Sequence, residues 1–240
     1  MFLKKVTILH ENIKDYNYYP FSIPYIKNLE NIDFNNPVTF FVGENGSGKS
    51  TLLEAIADKC EFNTAGGNRN NMYDVYASGS DLGEYVRLSW LPKVTNGFFL
   101  RAESFYHFAT HIDHVDGSGF KSYGGRSLLK QSHGESFLSL FSNRFNNEKA
   151  IYLLDEPEAA LSPSKQLVFM KIINDLIKTQ NIQFIIATHS PILLGFPNAT
   201  IYNFDNKIEQ INYEMTDHYN LTKYYMQNRE NLLKNLFNNE

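Results

Sequence analysis

One stretch of sequence decides the fold, and it reads Pro37-Val38-Thr39-Phe40-Phe41-Val42-Gly43-Glu44-Asn45-Gly46-Ser47-Gly48-Lys49-Ser50-Thr51. Its continuous apolar start, Val38 to Val42, predicts a buried strand, and its glycines predict a turn. The residues from Lys49 onward predict a helix. The spacing Gly43-x-x-x-x-Gly48-Lys49-Ser50 is that of a phosphate-binding loop, which requires this order of strand, turn and helix.

The residue types of this loop predict its chemistry. Glycines adopt backbone angles that a side chain forbids, so that successive N–H groups can face phosphate oxygens, and the helix directs its partly positive N-terminus at the same anion. Lys49 can reach the outer phosphates, and Ser50 can place its hydroxyl on a magnesium ion. Thr51 is predicted as a residue of the first helical turn. We therefore expect a nucleotide with Mg²⁺ to contact Gly43, Glu44, Asn45, Gly46, Ser47, Gly48, Lys49, Ser50 and Thr51.

A second apolar run ends in two acids. Ala150 to Leu154 is predicted as a parallel strand buried on both faces, and Asp155 and Glu156 follow it directly. Ligands bind at the carboxyl edge of such sheets. Asp155 is therefore expected to hold magnesium, and Glu156 to accept a proton from an attacking water. The alternative is that both acids only cap the next helix.

A third apolar run ends in a histidine. Gln183 to Ala187 is predicted as another buried strand, followed by Thr188, His189 and Ser190. Because His189 would lie on the same sheet edge as the two acids, we expect it to contact the terminal phosphate and orient the water. A purely structural histidine is the alternative.

A polar turn precedes the predicted helix at Phe137 to Phe141. Its residues are Gln131-Ser132-His133-Gly134-Glu135-Ser136. A serine before a helix N-terminus can bind an anion, but Ser132 with Glu135 three residues later is also a helix cap. Taken alone, the pattern favours the cap.

The N-terminal part predicts supporting structure near the loop. Val6 to His10 is predicted as an edge strand, and the aromatic segment Tyr16 to Tyr25 as strand and turn. Either Tyr19 or Phe21 can stack on an adenine ring, although core packing is the favoured explanation for each. The tail from Thr200 predicts two short strands and a helix, and we assign it no chemical role.

Length and composition limit the class of protein that this sequence can encode. The chain has 240 residues, 42% of them apolar, and a formal charge of −4, which predicts a globular domain without a general basic field for nucleic acid. The single cysteine and the lack of a secretion signal predict a cytoplasmic protein, and no apolar run is long enough for direct membrane insertion.

We expect one domain with a core lobe at about residues 1–62 and 146–240 and an inserted arm lobe at about 63–145.

In the order of its motifs, the chain resembles ABC-type ATPases, in particular compact relatives of the SMC and RecF branch. By this resemblance, Gly43 to Thr51 is the Walker A loop, Leu153 to Pro157 is the Walker B strand with catalytic Glu156, and Ala159 to Ser162 is the D-loop. His189 is the switch histidine. The resemblance implies an α/β fold with a mostly parallel sheet, N-terminal antiparallel strands and an inserted, mainly helical arm.

The same resemblance gives the polar turn a second meaning. Ser132, Gly134 and Glu135 fall at the signature motif, which binds the nucleotide of another protomer, and Glu103 falls at the glutamine that senses magnesium and water. Three residues depart from the family pattern: Glu103 replaces that glutamine, His133 a signature glycine and Ser162 a D-loop aspartate. These departures bear on the rate of hydrolysis more than on nucleotide binding.

The expected function is Mg²⁺-dependent binding and hydrolysis of ATP, coupled to closure and opening of a head-to-tail homodimer. The catalytic residues implied are Glu156, His189 and Lys49, and the metal ligands are Ser50, Asp155 and Glu103. The alternative is an ATP-gated interaction module with slow hydrolysis that controls a partner, such as a toxin, a nuclease, a DNA-associated protein or a membrane component.

Overall fold

The computed structural model describes residues 1–64, 66–67, 81–102, 104–115, 119–121, 124–143, 149–178, 182–205 and 207–237. In these ranges the strands are β1 (Leu3–Ile8), β2 (Asn31–Asp33), β3 (Val38–Val42), β4 (Val86–Trp90), β5 (Gly97–Arg101), β6 (Ala150–Asp155), β7 (Ile182–Ala187), β8 (Thr200–Asn203) and β9 (Glu209–Ile211). The α-helices are α1 (Lys49–Lys59), α2 (Phe105–Val115), α3 (His133–Asn143), α4 (Pro163–Ile177), α5 (Pro191–Leu194) and α6 (Asp217–Phe237).

The larger sheet has the strand order β5-β6-β7-β3-β8-β9 over the described residues. Its pairings are parallel except for β8 with β9, which is antiparallel. Every residue of β3, β6 and β7 is buried, as expected for parallel strands that are covered on both faces. The predicted α/β fold with a mostly parallel sheet is therefore confirmed.

Two apolar clusters cover the two faces of this sheet. On one face, α1 packs with the N-terminal strands, and Leu52 and Ile56 belong to this cluster with Val6. On the other face, the helices α2 to α5 contribute Phe108, Phe141, Phe169 and Leu193, among others. The sheet is thus a central layer whose carboxyl edge remains available for a site.

The smaller sheet is antiparallel and has the order β2-β1-β4. The prediction that Val6 to His10 forms an edge strand is wrong, because β1 is the middle strand of this sheet. Its second neighbour, β4, lies about eighty residues further along the chain, so that local sequence gives no sign of the pairing.

The region predicted as an arm lobe contributes to both sheets. β4 joins the antiparallel sheet, and β5 pairs with β6 in the parallel one. The helical part of this region, α2 and α3, comes after these strands and shares a core with α4 through Phe137, Phe141 and Phe169. Within the described ranges, no helix has both the length and the apolar character needed to cross a bilayer.

Candidate active site

The glycine loop, residues 43–48, connects the carboxyl end of β3 to the N-terminus of α1. Gly48 precedes the helix with φ +87°, a left-handed conformation that favours glycine. A Cβ atom at Gly48 would lie 2.3 Å from the hydroxyl oxygen of Tyr25, which donates a hydrogen bond to the Gly48 carbonyl at 2.7 Å. Both the backbone conformation and this contact therefore require glycine.

Lys49 lies across this loop. Its ammonium group donates to the carbonyl oxygens of Gly43 at 2.6 Å and Glu44 at 2.9 Å, and to the Ser47 hydroxyl at 3.3 Å. Burial lowers the pKa of Lys49, an effect that the carboxylates of Glu156 and Asp155 partly offset. The ammonium is thus a partly desolvated cation inside the loop, where an anion would interact with it more strongly than in water.

Ser50 and Asp155 meet at the carboxyl edge of the sheet. The Ser50 hydroxyl donates to Asp155 Oδ1 at 2.9 Å, although β7 separates β3 from β6. Arg101 Nε lies 3.4 Å from Asp155 Oδ2, and the Arg101 guanidinium also pairs with Glu54. A hydroxyl and a carboxylate are hard oxygen donors of the type that Mg²⁺ prefers, so that the donor set fits this metal.

A cavity of about 280 Å³ adjoins this pair. Its lining consists of Ser50, Arg101, Ala102, Asp155, Glu156 and Ala159. The two predicted strand-end acids therefore face the same space as the first turn of α1.

Glu156 follows β6 in a left-handed conformation with φ +50°. This conformation is costly for a residue with a side chain and is typical of functional sites. The Glu156 N–H donates to the Ala187 carbonyl of β7 at 2.9 Å, which fixes the backbone. Its carboxylate Oε1 lies 3.5 Å from His189 Nε2.

His189 lies just beyond the end of β7. Its backbone N–H donates to Glu158 Oε1 at 2.6 Å, and its Nδ1 lies 3.0 Å from Nε2 of His218. Burial lowers the pKa of His189, as do the nearby charge of Lys49 and the ring of His218. These effects favour the neutral form of the ring, while the Glu156 carboxylate opposes them.

The predicted polar turn is in fact the first turn of α3, which begins at His133, and it contains the cap interaction that the sequence predicts. Glu135 Oε2 accepts hydrogen bonds from the Ser132 N–H at 3.0 Å and from the Ser132 hydroxyl at 2.7 Å, which lower the pKa of Glu135. A Cβ at Gly134 would lie 2.7 Å from Lys165 Cδ and 3.0 Å from the Ala160 carbonyl oxygen. A side chain at this position would therefore require Lys165 to move, so glycine suits the close approach of α3 to the start of α4. Among the described residues, the hydrogen bonds of Ser132 are made to Glu135 and Lys165 and do not reach the glycine loop.

The remaining predictions concern the metal ligand Glu103 and the aromatic residues expected near the adenine ring. Glu103 lies outside the described residues. Phe21 is fully buried, with 0% of its surface exposed, and is excluded as an adenine-stacking residue, whereas Tyr19 is 58% exposed. The Tyr19 hydroxyl lies 3.0 Å from the Thr51 hydroxyl, beside the first turn of α1. The segment from Tyr16 to Tyr25 consists of turns without the predicted strand.

Three residues that the sequence analysis did not select also reach this region. Arg101 contacts Asp155 from β5, Asp205 Oδ1 accepts a hydrogen bond from the Glu44 N–H at 2.5 Å, and His218 contacts His189 from α6. Asp205 follows β8 at the same sheet edge, which is the signal that identified Asp155. No local signal marks Arg101 or His218.

Comparisons with known proteins agree with this geometry. A family model described as "AAA ATPase domain" matches residues 126–194, and one described as "AAA domain, putative AbiEii toxin, Type IV TA system" matches residues 38–137. The zinc import ATP-binding protein ZnuC of Wolbachia pipientis wMel is 24% identical over 177 residues, which cover 67% of each chain. Protein ea59 of Escherichia phage lambda is 34% identical over 89 residues, which are 35% of this chain and 17% of that protein.

Solved structures share the fold. An inward-facing "putative metal-chelate type ABC transporter" matches with a TM-score of 0.53 at 16% identity, over 94% of this chain and 90% of that chain. MJ1267, an ATP-binding cassette of an ABC transporter, matches with a TM-score of 0.52 at 16% identity, over 97% and 98%.

The parallel sheet, with a glycine loop and acids at its carboxyl edge, defines the class of P-loop nucleotide hydrolases. Within that class, the matched family models and the relatives are described as AAA or ABC ATP-binding proteins. The chain is thus similar to ABC-type P-loop ATPases, in agreement with the resemblance of its motifs.

Proposed function

We propose that the chain binds Mg-ATP in the glycine loop and hydrolyses it in a head-to-tail homodimer, in which the Ser132 turn of one protomer closes over the nucleotide of the other. One observation carries the proposal. The loop of β3, the two acids of β6 and the histidine of β7 converge at one sheet edge, although they come from three separate parts of the sequence.

The nucleotide would be held mainly by the loop. The backbone N–H groups of residues 43–48 and the N-terminus of α1 would bind phosphate oxygens, and Lys49 would exchange its carbonyl partners for the outer phosphates. Ser50 and Asp155 would hold Mg²⁺ together with Glu103. When bound, this ion neutralises the charge that spreads over the phosphates during transfer. The exposed Tyr19 is the better placed of the two candidates for contact with adenine.

Hydrolysis would use two side chains of the sheet edge. A water attacks the γ-phosphorus, the bond from this phosphorus to the β,γ-bridging oxygen breaks, and ADP leaves with the bond electrons. Glu156 accepts the proton that the water loses. His189 would donate from Nε2 to a γ-phosphate oxygen and so orient the group that is attacked.

The second protomer would complete the site. Ser132, Gly134 and Glu135 have contacts with their own helix and with Lys165 and Ala160, and none of these contacts places them at the loop. In the proposed dimer, the Ser132 hydroxyl would turn from Glu135 to a phosphate oxygen of the partner's nucleotide. The loss of the hydroxyl hydrogen bond to Glu135 is a cost that contacts with the partner's nucleotide would have to offset.

The test is the Glu156→Gln variant. It should still bind ATP, accumulate as an ATP-loaded dimer and lose turnover by about two to four orders of magnitude, because the proton acceptor is lost. Light scattering with ATP gives the dimer fraction, and phosphate release gives turnover. Glu30→Gln, an exposed exchange of the same kind, is the control. Unchanged turnover in Glu156→Gln would exclude its proposed role.

The loop is tested separately. Lys49→Ala should abolish ATP binding in calorimetry, whereas Lys59→Ala, at the exposed far end of the same helix, should bind like the wild type. Normal affinity for ATP in Lys49→Ala would contradict the assignment of the loop.

A second candidate function is an ATP-gated interaction module with slow hydrolysis. The hydrogen bonds of Ser132 to a carboxylate favour it, because Glu135 would bring negative charge toward the partner's terminal phosphate. The partner would be a protein such as a toxin, and DNA is the other candidate. Steady-state ATPase near background, with and without DNA, would favour this module over the hydrolase.

A further inference from the structure

The histidine at the end of β7 has a second histidine as its neighbour. His218, in the first turn of α6, brings its Nε2 within 3.0 Å of His189 Nδ1, and the two ring centroids lie 5.1 Å apart. A contact of this length between two imidazole nitrogens is a hydrogen bond, so one nitrogen donates and the other accepts.

The other side of His189 sets the direction of this bond. His189 Nε2 lies 3.5 Å from Glu156 Oε1, and an ionised carboxylate can only accept hydrogen bonds. The proton of the neutral His189 ring is therefore favoured on Nε2. His189 Nδ1 is then the acceptor, and His218 Nε2–H is the donor.

We propose that His218 is a positioning residue that keeps His189 in the tautomer with its proton on Nε2 and holds its ring toward the terminal phosphate. This inference rests on the proposed role of His189 in hydrolysis. The tautomer matters because only a protonated Nε2 can donate to a phosphate oxygen. A group that hydrogen-bonds the other ring nitrogen commonly fixes both the tautomer and the orientation of a functional histidine.

The first turn of α6 is itself fixed against the segment that follows His189. The buried Thr216 hydroxyl oxygen accepts from the Tyr219 N–H at 3.3 Å and so caps the helix. The Tyr213 hydroxyl donates to the Pro191 carbonyl at 2.9 Å, and the Tyr213 ring packs on Tyr219 at 4.6 Å. These contacts hold the His218 donor in place before any nucleotide arrives.

The test compares two exchanges of His218 in the full chain. His218→Leu removes the donor and should lower kcat for ATP hydrolysis about tenfold while KM changes little, because the loop that binds ATP is intact. His218→Gln places an amide N–H near the position of the imidazole Nε2 and should restore most of the lost kcat. The matched control is Gln227→Leu, a polar-to-leucine exchange at an exposed position of the same helix, which should leave kcat unchanged.

A spectroscopic readout separates positioning from a merely structural role. In the wild-type protein, the ¹⁵N shifts of the His189 ring should report a proton on Nε2, and in His218→Leu the share of this tautomer should fall, because Glu156 alone then favours it. A proton on Nδ1 in the wild type, or a wild-type kcat in His218→Leu, would overturn the inference.

The proposed ATPase function can be tested separately from the role of His218. If Glu156→Gln and His189→Ala both lose turnover while His218→Leu does not, only the inference about His218 fails. If His189→Ala keeps its full turnover, the role of His189 fails, and the inference fails with it.

Discussion

Glu158 contacts the site residue His189 and has a buried carboxyl group. Its Oε1 accepts the His189 N–H at 2.6 Å, and burial raises the pKa of Glu158 above its ordinary value. The folded chain therefore binds this proton more tightly than the unfolded chain does. Its contribution to stability is fully present below the unfolded pKa and is lost as the pH rises through the raised folded pKa.

Glu158→Gln should remove this dependence. Glutamine keeps an acceptor for the His189 N–H and carries no charge, so the free energy of unfolding should fall less between acidic and neutral pH and should be higher than that of the wild type at neutral pH. Urea unfolding at several pH values measures it, with Glu30→Gln as the exposed control. Parallel pH profiles in variant and wild type would show that this carboxyl group does not titrate differently on folding.

Residues of the site differ in how far the sequence predicts them. Lys49 and Ser50 belong to a contiguous motif whose spacing is set by the loop itself, so that a single sequence identifies them. Asp155 and His189 follow buried strands, and the rule for ligand edges of parallel sheets brings them together. Arg101 and His218 carry no such signal, because their positions depend on the strand order and on where α6 begins.

At the scale of the elements, one buried side chain joins the two sheets. Gln183 of β7 accepts hydrogen bonds at Oε1 from the Phe2 N–H at 2.9 Å and the Leu3 N–H at 3.0 Å, and its Nε2 donates to the Leu3 carbonyl at 3.0 Å. It is fully buried. The start of β1 is thereby attached to the parallel sheet by hydrogen bonds that are buried away from water.

Gln183→Leu should destabilise the fold by about 2–4 kcal/mol, because it leaves two N–H groups and a carbonyl buried without partners. The free energy of unfolding measures this loss, and Gln227→Leu on α6 is the matched exposed exchange. A loss below about 0.5 kcal/mol, the usual range for surface changes, would mean that water or another group replaces the amide.

The strands and helices that have a clear local sequence pattern could be predicted, whereas the order of the strands within the sheets could not. The apolar runs of β3, β6 and β7 and the helical periodicity of α4 follow from the sequence. The central position of β1 does not, since β4 pairs with it from about eighty residues further along the chain.

At the scale of the whole molecule, a head-to-tail dimer predicts complementation between two inactive variants. Lys49→Ala disables the loop, and Ser132→Asp should disable the turn because its carboxylate repels phosphate. Each variant alone should be inactive. A mixed dimer contains one site in which both the loop and the turn are intact.

An equal mixture should therefore recover up to about a quarter of the wild-type turnover, since about half of the dimers are mixed and each has one complete site of two. Phosphate release before and after mixing measures the recovery, with the two variants kept separate as controls. Turnover that stays at the level of the separate variants would contradict a site shared between protomers.

The position of β3 between β7 and β8 also has a consequence for biosynthesis. Ribosomes add about 5–20 residues per second, so roughly 7 to 30 seconds separate the synthesis of β3 from that of β7. During this interval the apolar β3 has neither of its lateral neighbours in the sheet. The sheet around the nucleotide loop therefore cannot form before β7 and β8 are made, and until then β3 is an exposed hydrophobic segment of the kind that promotes aggregation.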